Sequence, residues 1–192
     1  AGPATESDLN HPTNIVFDSA GRMMIAAWHN SRIKRVDLST GLLDEICGTG
    51  RRTYTGDDGP AAMASLDLPA SLAYDATGNL YVMDQANQVI RRIGLDGVIR
   101  RFAGQCITNT CGTGEAPVAC PMTNKLACLT ADPTACSLPC HPSYGGDGGP
   151  RLDARFAQPF GQAADPAGRI AFDATGNLFL AGQGAFEIAL GG

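Results

Sequence analysis

The chain of 192 residues repeats a pattern of proline, aspartate, glycine and asparagine at a spacing of 57 or 56 residues. The aligned pairs are Pro12 and Pro69, Asp18 and Asp75, Gly21 and Gly78, Asn30 and Asn87, and Gly48 and Gly104. A unit of this length cannot bury its apolar surface alone and has to pack against neighbouring copies. The repeat therefore predicts a row of small, mutually packed units.

Each copy has the pattern of short strands separated by turns. In the second copy the runs SLAYD, NLYVMD, QVIRRIG and VIRRFAG alternate with the turn sequences ATGN, QAN and LDG. The second run is apolar on both faces, with Leu80 and Val82 on one face and Tyr81 and Met83 on the other. A strand buried on both faces needs a sheet packed between two others. Four-stranded sheets stacked around an axis, as in a β-propeller, provide that arrangement.

The predicted fold class is all-β, a partial β-propeller of about two and two-thirds four-stranded blades. A third copy is indicated by FDATGNLFLAG at 172–182, which matches YDATGNLYVMD at 74–84. The predicted units are blade 1 at 1–50, a corner and blade 2 at 51–104, a cysteine-rich insertion at 105–143, and a corner with an incomplete blade 3 at 144–192.

Six of the seven cysteines lie in the insertion, which is rich in Thr, Pro and Ala and poor in large apolar residues. They are Cys106, Cys111, Cys120, Cys128, Cys136 and Cys140. Such a segment buries too little surface to offset its ordering entropy, so we predict three disulfides, with the pairing left open. The spacings contain no CxxC pair, which argues against zinc. Disulfides would place the chain in the periplasm, at the cell surface or outside the cell.

A phrase rich in glycine and aspartate occurs as TGDDGPAAMASLDLP at 55–69 and as GGDGGPRLDARFAQP at 145–159. In one interpretation Asp57, Asp58 and Asp147 bind Ca²⁺, which prefers carboxylate and backbone oxygens. In the favoured interpretation the phrase turns a corner between blades. Glycine allows a left-handed backbone, aspartate caps a turn, and proline begins a short helix.

The corner interpretation also predicts which side chains are buried. A turn or two of helix would point Met63 and Leu66 inward, and likewise Leu152 and Phe156. Pro69 and Pro159 would then end the helix and begin the innermost strands.

The stretch LPASLAYDATGNLYVMDQANQVIRRIGLDGVIRRFAG resembles an NHL repeat of the bacterial type, in which a GDGGPA phrase precedes the blade. The resemblance covers nearly the whole chain outside the insertion, although the first copy has Ala27 where the second has Asp84. It implies a propeller of usually about six blades. This chain holds fewer, so we expect further blades of a larger propeller, or other copies, to complete it.

Three further sites are candidates. Trp28 and His29, in a turn, either form an aromatic binding lip or pack partly into the fold. His11 precedes an inner strand and is either an incidental polar residue or a metal ligand, because some propeller lyases and hydrolases similar to this family bind a metal near the axis. Cys47 is either a small buried free thiol or is bonded to another chain or to the insertion.

The second copy also carries an arginine cluster. Its members are Arg91, Arg92, Arg100 and Arg101. Some NHL domains bind RNA, but in the first copy Asp44 and Glu45 replace the second pair of arginines. That exchange indicates charge pairing across strands, or across the blade interface. Because the net charge is -5, there is no general attraction to nucleic acid, and no nucleic-acid partner is predicted.

The predicted function is that of an exported, non-catalytic module for protein binding or assembly. Its open blade edges and its disulfide-stapled loop would contact partners by strand addition and loop docking. The alternative is part of a lyase or hydrolase whose axial metal site lies mostly outside this chain. No apolar run approaches the roughly 18 residues of a membrane span, and Ca²⁺ is the one cofactor considered.

Overall fold

The computed structural model describes residues 1–105, 117–119, 126–128, 146, 148–156, 168–181 and 185–188. These residues form short antiparallel β-strands and single turns of 3₁₀ helix. The described chain is therefore all-β, as predicted.

The first sheet, blade 1, contains five antiparallel strands. They are β1 (Gly2–Pro3), β2 (Pro12–Phe17), β3 (Met23–Ala27), β4 (Arg32–Asp37) and β5 (Leu42–Cys47). Their order across the sheet is β1-β5-β4-β3-β2. The four long strands thus follow one another from the inner edge outward, and the two-residue strand β1 completes the outer edge.

The second sheet, blade 2, repeats this arrangement. Its strands are β6 (Gly59–Pro60), β7 (Pro69–Tyr74), β8 (Leu80–Asp84), β9 (Val89–Ile93) and β10 (Val98–Ala103). Their order is β6-β10-β9-β8-β7. The prediction of four strands per blade is short by one for blades 1 and 2, because a glycine–proline pair before each of these two blades adds to its outermost long strand.

Two smaller sheets follow. β11 (Pro117–Ala119) pairs with β12 (Leu126–Cys128) inside the predicted insertion. β13 (Arg169–Phe172), β14 (Leu178–Ala181) and β15 (Ala185–Ile188) form a three-stranded sheet, blade 3, at the position of the third copy.

An aspartate shapes the turn after the innermost strand of each blade. Asp75 Oδ1 accepts hydrogen bonds from the amides of Thr77 and Asn79, each at 2.9 Å. Asp18 and Asp173 hold the corresponding amides of the first and third copies in the same way. Aspartate satisfies backbone donors in such turns, which explains why the motif returns in every copy.

The innermost strands of neighbouring blades are joined by hydrogen bonds that follow the repeat. The amide of Leu72 donates to Oδ1 of Asn14 at 2.8 Å. One copy later, the amide of Ile170 donates to Oγ of Ser71 at 3.2 Å. Because Asn14 and Ser71 occupy the same position of the repeat, this contact sets the register of each inner strand against the next.

β8 is buried on both faces, as predicted. Leu80 and Val82 pack into a core that is shared with blade 1. Tyr81 and Met83 pack into a second core that is shared with blade 3. Blade 2 is therefore the middle layer of a stack of sheets.

The phrase at 55–69 folds as a corner, and its helix is shorter than predicted. A single 3₁₀ turn, Ala61–Met63, follows β6. The burial prediction is wrong for Met63, which is 71% exposed, and for Leu152, which is also exposed. Leu66 and Phe156 are buried as predicted. A one-turn 3₁₀ helix that ends at Met63 directs that side chain outward.

Pro69 begins β7, as predicted, whereas Pro159 lies outside the described residues. A further copy of the corner, which the repeat did not predict, lies before β2. There Gly2–Pro3 pairs with β5, as Gly59–Pro60 pairs with β10, and the 3₁₀ turn Ala4–Glu6 follows. The two corners share the triplet Gly-Pro-Ala, which is too short a motif to recognise without the strand pairing.

Gly48 and Gly104 follow the outermost long strands with left-handed φ angles of 97° and 87°. A Cβ at Gly48 would lie 2.4 Å from the carbonyl oxygen of Ser31, and one at Gly104 would lie 2.6 Å from that of Gln88. Both the left-handed backbone and the close approach of a neighbouring strand require glycine at these positions.

We expect Gly48→Ala to destabilise the protein far more than Gly41→Ala. Gly41 also has a left-handed φ, but a Cβ there would meet no atom within 4 Å. The control should lose about 1–2 kcal/mol for the unfavourable backbone conformation, and G48A at least about 3 kcal/mol because a backbone clash is added. Urea unfolding of both variants measures the difference, and equal losses would contradict the close approach.

Candidate functional site

The corner before blade 2 surrounds a buried arginine on β9. Arg91 donates from Nε to Asp57 at 3.0 Å. From Nη1 and Nη2 it donates to the carbonyl oxygens of Ser65 and Thr55 at 2.8 and 2.9 Å. Its guanidinium lies 5.0 Å from the ring centroid of Tyr54, within the range of a cation–π contact. A buried cation needs such partners, and here they tie β9 to both ends of the corner.

Asp84, at the end of β8, is the second acid of this network and is fully buried. It accepts hydrogen bonds from the amide of Asp67 at 2.7 Å and from the side chain of Asn87 at 2.8 Å. Arg91 Nη1 lies 3.6 Å from its Oδ2. Burial raises the pKa of Asp84 to about 7, although the Arg91 charge opposes the shift.

Blade 1 keeps the cation of this network without its buried acid. Lys34, the counterpart of Arg91, is buried and donates from Nζ to the carbonyl oxygen of Asp8 at 3.0 Å. Arg91 makes the equivalent contact with the carbonyl oxygen of Ser65, which occupies the same position of the repeat as Asp8. Ala27 stands where blade 2 has Asp84. A cation that holds the corner is therefore common to both blades, and the buried acid is a feature of blade 2.

The structure gives the three aspartates considered for calcium different surroundings. Asp57 accepts hydrogen bonds from Arg91 through Oδ1 and from the Tyr54 hydroxyl through Oδ2. Asp58 is exposed, and Asp147 lies outside the described residues. Calcium needs several oxygens directed at one point, so the bonds of Asp57 favour the corner interpretation. Calcium binding stays a prediction.

Trp28 lies in the interior instead of on an exposed lip. It is 1% exposed, and its Nε1 donates to the side chain of Gln85 in blade 2 at 2.9 Å. His29 stacks on Trp28 with ring centroids 4.2 Å apart, and the ring of His11 lies 4.4 Å from that of His29. The ring surface accessible from outside belongs to the two histidines, because the indole is covered.

His11 occupies a backbone position that recurs in blade 2. Its φ is 49°, and its counterpart Leu68 has a φ of 55°, so the left-handed conformation comes from the corner and not from a ligand. Among the residues that the structure describes, no group of three or more His, Cys, Asp or Glu side chains lies close enough to hold a metal ion. A metal-binding role of His11, and the lyase or hydrolase alternative, stay predictions.

Cys47 ends β5, and its thiol is buried and free. It packs into the core between blades 1 and 2. Burial raises its pKa to about 12, which makes the thiol a poor nucleophile. The side chains of the other six cysteines are outside the described part of the chain, so the three disulfides stay a prediction.

Opposite charges pair across β4 and β5. Arg35 lies opposite Asp44 and donates from Nε to its carboxylate at 3.0 Å. Arg32 Nε lies 3.0 Å from Glu45. Arg100 instead pairs with acids of its own blade and corner. Arg100 therefore forms surface ion pairs, whereas Arg91 belongs to the buried network and Arg101 donates to backbone carbonyl oxygens.

The face of blade 1 that points away from blade 2 is apolar and partly open. Ile15 and Phe17, on β2, are 51% and 56% exposed. Their counterparts on blade 2, Leu72 and Tyr74, pack against blade 1. Blade 3 likewise leaves Phe179 exposed on its far side. The stack thus ends, on each side, in a face of the kind that a neighbouring blade covers inside the stack.

Proline closes the outer edges of blades 1 and 2. The outermost strands β1 and β6 end in Pro3 and Pro60. Proline has no N–H to donate to a further strand, so the predicted strand addition is disfavoured at these edges. The flat faces are the better docking surfaces.

Comparison with solved structures supports a β-propeller fold. A structural genomics protein of unknown function from Bacteroides thetaiotaomicron aligns with a TM-score of 0.59 and 17% identity, over 95% of this chain and 36% of its own. An auxiliary nutrient binding protein from the same species aligns with a TM-score of 0.51 and 18% identity, over 86% of this chain and 33% of its own. These likenesses show the fold, and this chain spans about a third of either structure.

The chain is 33% identical, over 95 residues, to the chloroplastic protein SUPPRESSOR OF QUENCHING 1 of Arabidopsis thaliana. That match covers 50% of this chain and 9% of the plant protein. No protein-family model matches the chain, so the NHL relationship stays a resemblance. In the described part of the chain, no helix is long and apolar enough to cross a membrane.

We expect Asp84 to make the protein less stable as the pH rises through the acidic range. Its pKa is raised from 3.8 to about 7, so the folded state binds the proton more tightly than the unfolded state. The stabilisation is complete below pH 3.8 and is lost as the pH passes about 7. Asp84→Asn, which resembles the protonated acid, should flatten this limb of a plot of urea midpoint against pH.

Asp75→Asn is the matched control, with the opposite sign. Although partial burial raises the pKa of Asp75, hydrogen bonds from Asn79 and Thr77 lower it overall. Its contribution is therefore lost as the pH falls below the usual pKa of an aspartate, 3.8. D75N should flatten the profile only there, and not between pH 3.8 and about 7, where Asp84 acts. A D84N profile that runs parallel to the wild type would contradict the raised pKa of Asp84.

Proposed function

We propose that this chain is an exported, non-catalytic module of an NHL-type propeller, whose two open blade faces bind further blades or partner proteins. The open apolar face of blade 1, with Ile15 and Phe17, carries this proposal. An exposed apolar face is either a docking surface or an aggregation hazard. The equivalent face of blade 2 packs against blade 1. This supports the proposal that the open face of blade 1 is covered by another blade.

The covering partner would present the side that blade 1 presents to blade 2. That side is built from buried residues: Met24, Ala26, Ile33 and Cys47. At the other end of the stack, Ala171 and Phe179 are exposed, and their counterparts Ala73 and Tyr81 pack between blades 2 and 3. The two ends are thus complementary in kind, and head-to-tail contacts of this sort can close into a ring.

The remaining blades would come from a longer chain or from further copies. The chain covers only 36% and 33% of the two solved structures described above, which supports a ring much longer than this chain.

Export is supported by the cysteine-rich insertion, because disulfides persist in oxidising compartments. A binding role is supported by the likeness of this fold to an auxiliary nutrient binding protein. The plant relative is chloroplastic. Export is therefore a part of what we propose for this chain.

We expect Ile15→Glu to destabilise or dissociate the intact protein and Leu38→Glu to leave it unchanged. Leu38 is 59% exposed in the turn between β4 and β5, and so it matches Ile15 in accessibility but lies outside the open face. A glutamate buried under a covering blade should cost at least about 3 kcal/mol, against about 0.5 kcal/mol at an open surface. Urea unfolding and light scattering measure stability and mass. Equal behaviour of the two variants would show that nothing covers the face.

A thiol count tests the disulfides and, with them, the proposed export. The chain has seven cysteines, and Cys47 is free. Without reductant, an alkylating reagent should modify one cysteine in the unfolded protein. In the folded protein it should modify none, because Cys47 is buried. Cys47→Ser should abolish the single adduct in mass spectra, and seven adducts in the wild type would contradict the disulfides.

A further inference from the structure

A cavity of about 580 Å³ lies between blades 1 and 2. It is bordered by the turns after β2 and β7 and by the turn between β9 and β10. Met24, Ile46 and Ala61 line it with apolar surface, and Asp18, Arg22 and Tyr74 line it with polar groups. Small-molecule sites commonly have this size and this mixture of apolar wall and few polar groups. The cavity needs no further blade, since both of its walls belong to this chain.

The interface between blades 2 and 3 shows that stacked blades do not have to leave this space. The counterparts of Met24 and Ile46 there are Tyr81 and Phe102, whose rings meet edge to face with centroids 4.8 Å apart. The ring of Phe172 lies 4.9 Å from that of Tyr81.

Arg151, the counterpart of Ala61, completes that filling. It lies over the Phe102 ring at 4.9 Å. Three larger side chains thus occupy the second interface at positions where the first has methionine, isoleucine and alanine. The cavity results from these three residues and not from the geometry of the stack.

Arg22 is a second departure from the repeat at the same place. Blades 2 and 3 have Asn79 and Asn177 at this position, and each donates to the aspartate of its turn. Arg22 does the same from Nε, at 2.7 Å from Asp18 Oδ2. A guanidinium has five N–H donors, so this bond leaves donors of Arg22 for a ligand.

The other charged groups that line the cavity form more hydrogen bonds to their own neighbours than Arg22 does. Arg35 donates to both oxygens of Asp44. Asp75 accepts from the amides and side chains of its own turn and from the Tyr81 hydroxyl. Asp18 accepts from turn amides and from Arg22. Of the two arginines that line the cavity, Arg22 therefore keeps more N–H donors that are not bonded to described residues.

Tyr74 adds a hydroxyl to the side of Arg22. No hydrogen bond joins this hydroxyl to any residue that the structure describes, and burial raises the pKa of Tyr74, which keeps the phenol protonated as a donor. At the border of the cavity, Leu95 is 79% exposed. An exposed apolar side chain beside a cavity suits a ligand with an apolar body.

We propose that this inter-blade cavity binds a small organic carboxylate with an apolar, preferably aromatic, body. The carboxylate pairs with the guanidinium of Arg22, which offers parallel N–H donors to such a group, and accepts a hydrogen bond from Tyr74. The apolar body packs on Met24 and Ile46.

Calorimetric titration of the intact protein with phenylacetate and with its neutral analogue phenylacetamide tests this site. We expect phenylacetate to bind roughly tenfold more tightly than the amide. Arg22→Asn should abolish that preference while it preserves the turn, because asparagine supports the same turn in blades 2 and 3. Arg100→Asn, which removes a surface arginine of blade 2, is the matched control and should leave the preference unchanged.

The double variant M24Y/I46F places in the cavity the residues that fill the next interface, and it should abolish binding of both probes. Its unfolding midpoint is measured first, and R22N decides the question if the double variant is unfolded. Absence of binding at about 10 mM phenylacetate, equal affinity for acid and amide, or an R22N variant that keeps the preference would each overturn the assignment.

Discussion

The packing of neighbouring sheets, face against face, is the interaction on which the rest of this structure depends. Ala26 and Ile33 of blade 1 meet Leu66 and Val82 of blade 2 in a core that excludes solvent. Buried apolar area contributes about 25 cal/mol per Å², and one small sheet cannot bury enough of it alone. The corners, the inner-strand hydrogen bonds and the strand-end glycines all hold the sheets in position for this contact.

Sequence periodicity was sufficient to predict the layers, because it reports directly on burial. The uninterrupted apolar run Leu80–Met83 indicated a strand with two buried faces, and the structure places one core on each side of it. The same reasoning failed at Met63. Whether a short segment forms one 3₁₀ turn or a longer α-helix depends on where the chain must re-enter the sheet, and local sequence does not carry that information.

The polar corner was harder to predict from the sequence. Arg91 belongs to a run of similar arginines, and composition does not separate the one that is buried from those that are exposed. The separating signal is its register with Asp57 and Asp84, which only the pairing of β8 with β9 and the path of the corner bring together. The inter-blade cavity was missed for a related reason. It is visible only when equivalent positions in two interfaces are compared, as with Met24 and Tyr81.

The proline at the end of each outermost strand has a consequence for the newly synthesised chain. A protein made of near-identical sheets is exposed to fibril formation, because the edge of one molecule can template the addition of another. Pro3 and Pro60 remove a donor at the edge where such growth would begin. Contacts between molecules are then favoured at the broad faces of the sheets, which must match in shape before the contact is stable. Edge-to-edge misassembly is therefore slowed, whereas the correct stacking of blades is not.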